Sequence, residues 1–283
     1  MADRLHWLLE TFDLHADVFQ AGKLCHSADY DESGNVGYIH ILKEGQLDLE
    51  TVGLPTQRYC EPVLIFYVNA KKHRLSPVNE TSMVCATFNF DQTLGNPLTK
   101  SFPDVLCVSF KEIPQLHSVL NLLFDEAIDH HCGQQSILNR LIEVTIVLLI
   151  RHLMDQNKIH IGLLAGLADN KLAKAINAVH ESPAKTWSLE TLAMEAGMSR
   201  ARFAAHFHQT IGMTPHAYLT EWRISKAKSL LLSGKSLSYV VDAIGYSGLS
   251  AFSRAFYTLV GMPPKAWLKQ NEQTAPNAKP SSS

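Results

Sequence analysis

Three arginines stand where they could grip a nucleic-acid duplex. Arg200 and Arg202 open the segment SRARFAAHF at 199–207, and Arg254 lies within GLSAFSRAF at 248–256. In each segment two phenylalanines are four residues apart, Phe203 with Phe207 and Phe252 with Phe256. That spacing puts both rings on one face of a helix. At about 100° per residue, the opposite face of the first helix carries Ala201, Arg202, Ala205, His208 and Gln209. The opposite face of the second carries Ser250, Ala251, Arg254 and Tyr257, with Ser253 toward one edge. An arginine can hold guanine O6 and N7 with two hydrogen bonds, and an alanine can meet a thymine methyl in the major groove. Arg200 flanks the first face and is expected on phosphate. The same role falls to the amides at the helix starts, Ser199 in one segment and Ser247 with Gly248 in the other.

These side chains need short helices held at a fixed angle. Residues 188–207 read as two helices around Gly197, and residues 236–256 as two around Gly245. Glycine turns the chain at positive φ with the least cost, having no Cβ. Ser188 suits the N-cap of the first helix, and Ser199 and Ser247 are expected to cap the helices that carry the arginines. Leu192 and Ala193 in one unit, Val240 and Ile244 in the other, are expected to face inward. The units repeat: IGMTPHAYL (211–219) aligns with VGMPPKAWL (260–268) at an offset of 49, with Gly212/Gly261, Met213/Met262, Pro215/Pro264, Ala217/Ala266 and Leu219/Leu268 identical. One such pattern is an ordinary helical hairpin, whereas two tandem copies indicate a duplicated helix-turn-helix. The amphipathic stretch Pro215–Leu232 between them reads as a spacer with Arg223, Lys226 and Lys228 on its wetter sides. Two recognition helices about 34 Å apart would enter successive turns of the major groove.

The charge agrees. From 168 to 270 there are 12 Lys and Arg against 6 Asp and Glu, a balance of +6, whereas 1–167 has 12 against 20, a balance of −8. A basic module meeting a polyanion, joined to a module that does not, has this asymmetry. The 283 residues, 46% hydrophobic and 18% charged, suffice for two ordinary domains and exclude global disorder. No run reaches the roughly 18 apolar residues of a membrane span, because Val144–Ile150 is bounded by Glu143 and Arg151. The opening MADRLHWLLE lacks a secretory hydrophobic region, and five scattered cysteines are not a disulfide framework. A cytoplasmic protein with reduced thiols is expected.

Up to residue 110, the runs VGYIHIL (36–42), VLIFYV (63–68) and SMVCATFNF (82–90) are separated by the turn clusters DESGN, GLPTQ and SPVNE, which predicts antiparallel strands in a barrel or sandwich. Residues 111–156 change period. Leu116, Leu120 and Leu123 or Phe124 mark one amphipathic helix, and Ile137, Leu141, Val144, Leu148 and His152 a second, which suits packing on the first domain or on a second subunit. Residues 157–168 read as a linker, 169–270 as the helix-turn-helix domain and 271–283 as a disordered tail. The fold class is α+β: an antiparallel β-barrel, middle dimerisation helices and an all-α C-terminal domain.

On the paired units, the phrase AIGYSGLSAFSRAF and the closing GMPPKAW, residues 169–270 resemble the DNA-binding domain of the AraC/XylS family of bacterial transcriptional regulators. The resemblance implies a homodimer that binds double-stranded promoter DNA and recruits or positions RNA polymerase, as an activator or repressor. Gly248 stands where many relatives have serine, Leu249 where a polar residue is common, and the first recognition helix is unusually rich in alanine. These differences bear on which operator is read.

The N-terminal residues more loosely resemble the cupin-like sensory domain of one branch of that family. The branch's two cysteines and two histidines map to Cys25, His40, His73 and Cys85, although EPVLIFYVNAKKHRL is a degenerate form of its usual phrase. Two thiolates and two imidazoles could complete a tetrahedral zinc site. Alternatively, Cys25 and Cys85 could close a disulfide under oxidant, with His73 and its neighbours Lys71, Lys72 and Arg74 lowering a nearby thiol pKa. A third reading makes Cys85 a small buried hydrophobe. A small-molecule effector in the barrel is open as well. Cys60, Cys107 and Cys132 read as structural, and His130, His131 and Cys132 as solvated neighbours that point apart. The competing functions are a cupin-type metal-dependent enzyme with a nucleic-acid module, for which the barrel offers only two histidines and no ordered carboxylate, and an inert scaffold.

Overall fold

The computed structural model describes residues 3–11, 14–32, 36–90, 101–129, 131–156 and 161–274. The chain forms two compact units. One comprises 12–92 and 96–168, the other 1–11, 93–95 and 169–283. Each is described by itself.

The first unit is built on two antiparallel sheets. Strands β1 (Leu14–Leu24), β3 (Gly37–Glu44), β6 (Val63–Tyr67), β8 (Thr81–Phe90) and β9 (Leu106–Ser109) form a five-stranded sheet in the order β1-β8-β3-β6-β9. Strands β2 (Ala28–Tyr30), β4 (Leu47–Thr51), β5 (Gln57–Tyr59) and β7 (His73–Pro77) form a four-stranded sheet in the order β2-β7-β4-β5. Among the described residues the antiparallel strands expected from the sequence thus form two sheets. Strand residues alternate between faces. Leu42, Val63, Ile65, Met83 and Cys85 join Leu47, Leu49 and Leu75 of the other sheet in one core. The alternate residues Ile39, Ile41, Leu64, Phe66, Val84 and Ala86 are buried on the opposite face, which explains why β6 reads as an unbroken apolar run.

Helices α2 (Leu116–Ile128) and α3 (Gln134–Asp155) pack on each other and on β1. Helix α3 also closes the free edge of β1. The Val18 N–H donates to Asn139 Oδ1 at 2.9 Å and Gln135 Nε2 donates to the Val18 carbonyl at 2.7 Å. Side chains thereby satisfy backbone groups that would otherwise invite another strand. The buried face of α3 is Leu138, Ile142, Ile146, Leu149 and Leu153, one position round from the stripe expected from the sequence. Residues 163–168, expected within a linker, form helix α4 (Leu163–Ala168), whose leucines are buried in this unit.

The second unit is helical: α5 (Leu172–Glu181), α6 (Leu189–Glu195), α7 (Arg200–Ile211), α8 (Pro215–Leu232), α9 (Leu237–Ala243), α10 (Leu249–Val260) and α11 (Pro264–Thr274). Helix α11 carries ordered structure four residues into the expected tail; 275–283 lie outside the described residues. Helix α1 (His6–Thr11), expected with the sheets, packs on α5 and α8 of this unit, and Arg4 donates to Asn170 Oδ1 at 2.6 Å. No described helix is long and apolar enough to cross a membrane.

Candidate nucleic-acid interface and the buried histidine pair

Each arginine-bearing helix is pinned by its aromatic face. Phe203 and Phe207 are buried with ring centroids 5.4 Å apart, and Phe252 and Phe256 are buried with centroids 5.6 Å apart. The next helix extends each stack: Phe207 meets Tyr218 at 5.6 Å and Phe256 meets Trp267 at 5.8 Å, both edge-on. Both helices end on a left-handed glycine, Gly212 at φ 86° and Gly261 at φ 82°. With one face sunk, the other is turned to solvent. Ser199, Arg200, Ala201, Arg202, Ala205, His208 and Gln209 are all exposed on α7. On the second copy Ser247, Ser250 and Arg254 are exposed, while Gly248, Ala251 and Ser253 are half-buried.

The turns agree with the sequence reading and the caps only in part. Gly197 and Gly245 adopt φ of 62° and 74°. Ser188 accepts from the Thr191 N–H within a capping box. Ser199 occupies the N-cap of α7 but its hydroxyl makes no capping hydrogen bond. The N-cap of α10 is Gly248, not Ser247, because the helix starts one residue later than expected. Two of the cations assigned to the wet side of α8 are structural instead. Lys228 is buried with its ammonium 5.7 Å from the Trp267 ring centroid. Arg223 is half-buried and donates to the carbonyls of Pro183 and Lys185, both at 2.9 Å, with its guanidinium 5.7 Å from the Tyr246 ring.

Two positioning contacts had no sequence signal. His206, on the inner flank of α7, meets Asp169 Oδ2 at 2.7 Å. Burial pushes the Asp169 carboxyl up, but the amides of Leu172 and Lys171 and the imidazole outweigh it and hold the carboxyl below its ordinary value. His180 stacks on Trp222 at 3.5 Å and its Nε2 lies 2.5 Å from the Tyr218 hydroxyl. Pairings between residues 37 and 42 apart leave no periodic trace.

In the first unit the structure brings together His40, His73 and Cys85 but not Cys25. His40 and Cys85 are register partners on β3 and β8, and the two imidazoles meet with Nε2 atoms 2.9 Å apart. His73 Nδ1 lies 2.6 Å from the Lys71 carbonyl, which can only accept, so Nδ1 carries the proton. With both rings neutral, His40 Nε2–H donates to His73 Nε2, leaving His40 Nδ1 buried without a partner. Burial, then His73, pushes His40 well below the ordinary imidazole range, and burial lowers His73 against the raising effect of its Lys71 hydrogen bond. His73 is stacked between Tyr67 at 4.1 Å and Tyr30 at 4.7 Å. The Tyr30 hydroxyl lies 3.9 Å from Cys85 Sγ.

This arrangement departs from the expected quartet. Burial pushes the Cys85 thiol up to about 12, against the small lowering from Tyr30, opposite to the thiolate activation anticipated from Lys71, Lys72 and Arg74. Cys25 is exposed beyond the end of β1, and both thiols are free. Cys85 stands opposite Gln20, and at about 3.3 Å per residue Leu24 is already roughly 13 Å farther along β1, beyond the reach of a disulfide. Among the described residues no three His, Cys, Asp or Glu are grouped to hold a metal ion, so the residues present do not fit the expected zinc site. Cys60 and Cys132 are exposed and therefore contribute no core packing, unlike the half-buried Cys107. His131 is exposed and His130 lies outside the described residues.

A sheet-rich unit followed by a helical unit with two exposed arginine-bearing helix faces defines a class, and the comparisons agree with it. Residues 3–155 match the Cupin family and residues 192–270 the Helix-turn-helix domain family. The chain belongs to the AraC-like helix-turn-helix transcriptional regulators. It is 30% identical over 247 residues to RclR of Escherichia coli (strain K12), named an RCS-specific HTH-type transcriptional activator, an alignment covering 84% of this chain and 86% of that one. It is 32% identical over 191 residues to an uncharacterised HTH-type transcriptional regulator of Haemophilus influenzae, covering 67% of this chain and 63% of that one. With two Streptomyces AraC-like regulators the alignments span 36% and 50% of the relative's length.

Proposed function

We propose that the chain is a transcriptional regulator that binds double-stranded promoter DNA in a sequence-specific way through α7 and α10. One observation carries the reading: in one compact unit, two copies of the same motif bury their phenylalanines and expose the arginine-bearing faces. The contact residues are Ser199, Arg200, Ala201, Arg202, Ala205, His208 and Gln209 in the first copy, and Ser247, Gly248, Ser250, Ala251, Ser253 and Arg254 in the second. RNA polymerase is the partner such a regulator recruits, and the cytoplasm is where it works. The relatives named above are regulators, not enzymes, which argues against the metal-dependent enzyme.

The active form is a homodimer. Helix α3 buries one apolar face and leaves another: Ile137 and Val144 are exposed and Leu141 and Leu148 half-buried. Their spacing of four, three and four residues is that of a helix–helix seam. The signal enters through the sheet unit, as an oxidant acting on Cys25 or Cys85 or as a small molecule. Of these two thiols Cys25 is exposed, whereas Cys85 is buried and needs local opening.

Selection from a random duplex library, followed by salt titration of the selected site, tests the reading. Each phosphate neutralised releases counterions, so affinity is expected to fall by about 10³-fold or more between 50 and 200 mM salt. Failure to enrich any sequence, or affinity indifferent to salt, overturns it. Val144→Glu should convert the dimer to a monomer in sedimentation while leaving the fold intact.

A further inference from the structure

The ends of three strands and one helix enclose a cavity on the sheet unit that the DNA reading does not use. Leu42, Val63 and Ser109 pair in one row across β3, β6 and β9. One step beyond that row lie Lys43, Pro62 and Phe110, with the Phe110 N–H donating to the Pro62 carbonyl at 3.4 Å. Across them runs α2, contributing His117, Leu120 and Phe124, whose three- and four-residue spacing sets them on one face of the helix. The space between is about 260 Å³ and its walls are mainly apolar. At about 30 Å³ for each small-molecule heavy atom with its share of space, as for liquid water, it holds roughly nine such atoms.

The polar side chains at the cavity, Lys43, Ser109, Lys111, His117 and Asn121, are in unequal states. Lys111 already pairs with Glu61 Oε2 at 2.7 Å, both exposed. His117 is exposed at the mouth. Lys43 is half-buried, and its ammonium sits 5.2 Å from the centroid of the buried Phe124 ring. Among the described residues it makes no ion pair and no side-chain hydrogen bond. A partly desolvated ammonium facing an apolar space is favourable only if an anion or water completes it. Phe110 and Phe124 offer ring faces and edges to a flat body.

We propose that this cavity binds a small aromatic monocarboxylate, its carboxylate on the Lys43 ammonium and its ring between Phe110, Leu120 and Phe124. The site lies outside the core between the two sheets where His40 and His73 meet, and it stands independently of the DNA reading, because binding is measured on the free protein.

The test is calorimetric titration of the full chain with phenylacetate and with phenylacetamide, its uncharged isostere. Phenylacetate is expected to bind at sub-millimolar concentration and phenylacetamide at least tenfold more weakly. Lys43→Gln should weaken phenylacetate at least tenfold and leave phenylacetamide unchanged, whereas Lys43→Arg should keep most of the preference. Equal affinity for acid and amide, or an unchanged phenylacetate affinity in Lys43→Gln, overturns the proposal. So does absence of binding at 10-fold above the millimolar range. Saturation-transfer NMR on the unaltered protein gives the ring contacts without any variant. Transfer spread evenly over the carboxylate end and the ring, with none from aromatic protons of the protein, would count against the site.

Discussion

The two helix-turn-helix copies share a skeleton and differ in what locks it. Both have a left-handed glycine in the turn, a buried phenylalanine pair and a left-handed glycine at the close. In both, a basic side chain from the preceding helix lies buried against the closing aromatic residue. In copy one this is His180 from α5, against Tyr218 and Trp222; in copy two it is Lys228 from α8, over Trp267. Helix α8 therefore ends one copy and opens the next. The turns differ too. Gly197 has open space around it, whereas a Cβ on Gly245 would fall 2.4 Å from the Ala184 carbonyl oxygen. Arg223 holds the same 183–185 loop and faces Tyr246. A segment that precedes copy one is thus docked on the turn of copy two, so duplication produced one interlocked body.

The largest expected effect separates the copies by pH. Burial lowers His180 to about 3. Above its ordinary value near 6.5, both folded and unfolded chains leave it neutral and it exerts no pH effect. Below that value the unfolded chain takes up a proton that the folded core refuses, so stability falls as pH drops from 6.5 toward 3. Each pH unit in that window costs about 1.4 kcal/mol, or roughly 3 kcal/mol by pH 4.5. Residues 233–270 contain no histidine. Hydrogen exchange at pH 7 and 4.5 should show α5–α7 losing protection before α9–α10. Equal loss in the two copies, or the same acid sensitivity in His180→Gln, breaks the comparison.

The turns come next. Gly197→Ala should cost about 1 kcal/mol, the strain of a Cβ in the left-handed region. Gly245→Ala carries that strain and a backbone collision, and should cost at least twice as much by urea unfolding. Similar values for the pair would mean that Ala184 moves aside freely. At the DNA surface, Arg202→Ala and Arg254→Ala should each cost about 1–3 kcal/mol and relax preference at a different base position. Arg200→Ala should weaken all sequences alike and reduce the salt slope by about 1. Selection that relaxes at no position for Arg254→Ala would remove it from base contact. The smallest effect concerns caps. Ser188→Ala should cost about 1 kcal/mol, whereas Ser199→Ala, which removes no capping hydrogen bond, should change thermal stability by a few tenths.

The fold was legible where one helix or strand face is decided by a periodic run. Phe203, Phe207, Phe252 and Phe256 gave away helices α7 and α10 and hence which of their faces is exposed. Apart from Val36 and Val68, the runs at 36–42, 63–68 and 82–90 lie in β3, β6 and β8. Strand β1 had no such signal. Of its eleven residues only Ala16 and Val18 are buried, and its edge is closed by α3 side chains whose pairing spans more than a hundred residues. Helix α3 has two apolar stripes side by side, and periodicity alone could not say which one the sheet would cover.

Local chemistry in the sequence determined the duplicated motif, its glycine turns, its basic balance and its outward arginines, because each depends on residues within one or two helical turns. Tertiary structure alone decided that His40 would face His73 and Cys85 while Cys25 stayed at the surface. It also decided that Lys228 and Arg223 would serve packing, and that Lys43 would stand half-buried at an apolar cavity. Those outcomes are set by strand register and by which distant segment removes water from a side chain. Desolvation is a property of the assembled neighbourhood, and at Cys85 it raises the thiol against the lowering from the Tyr30 hydroxyl.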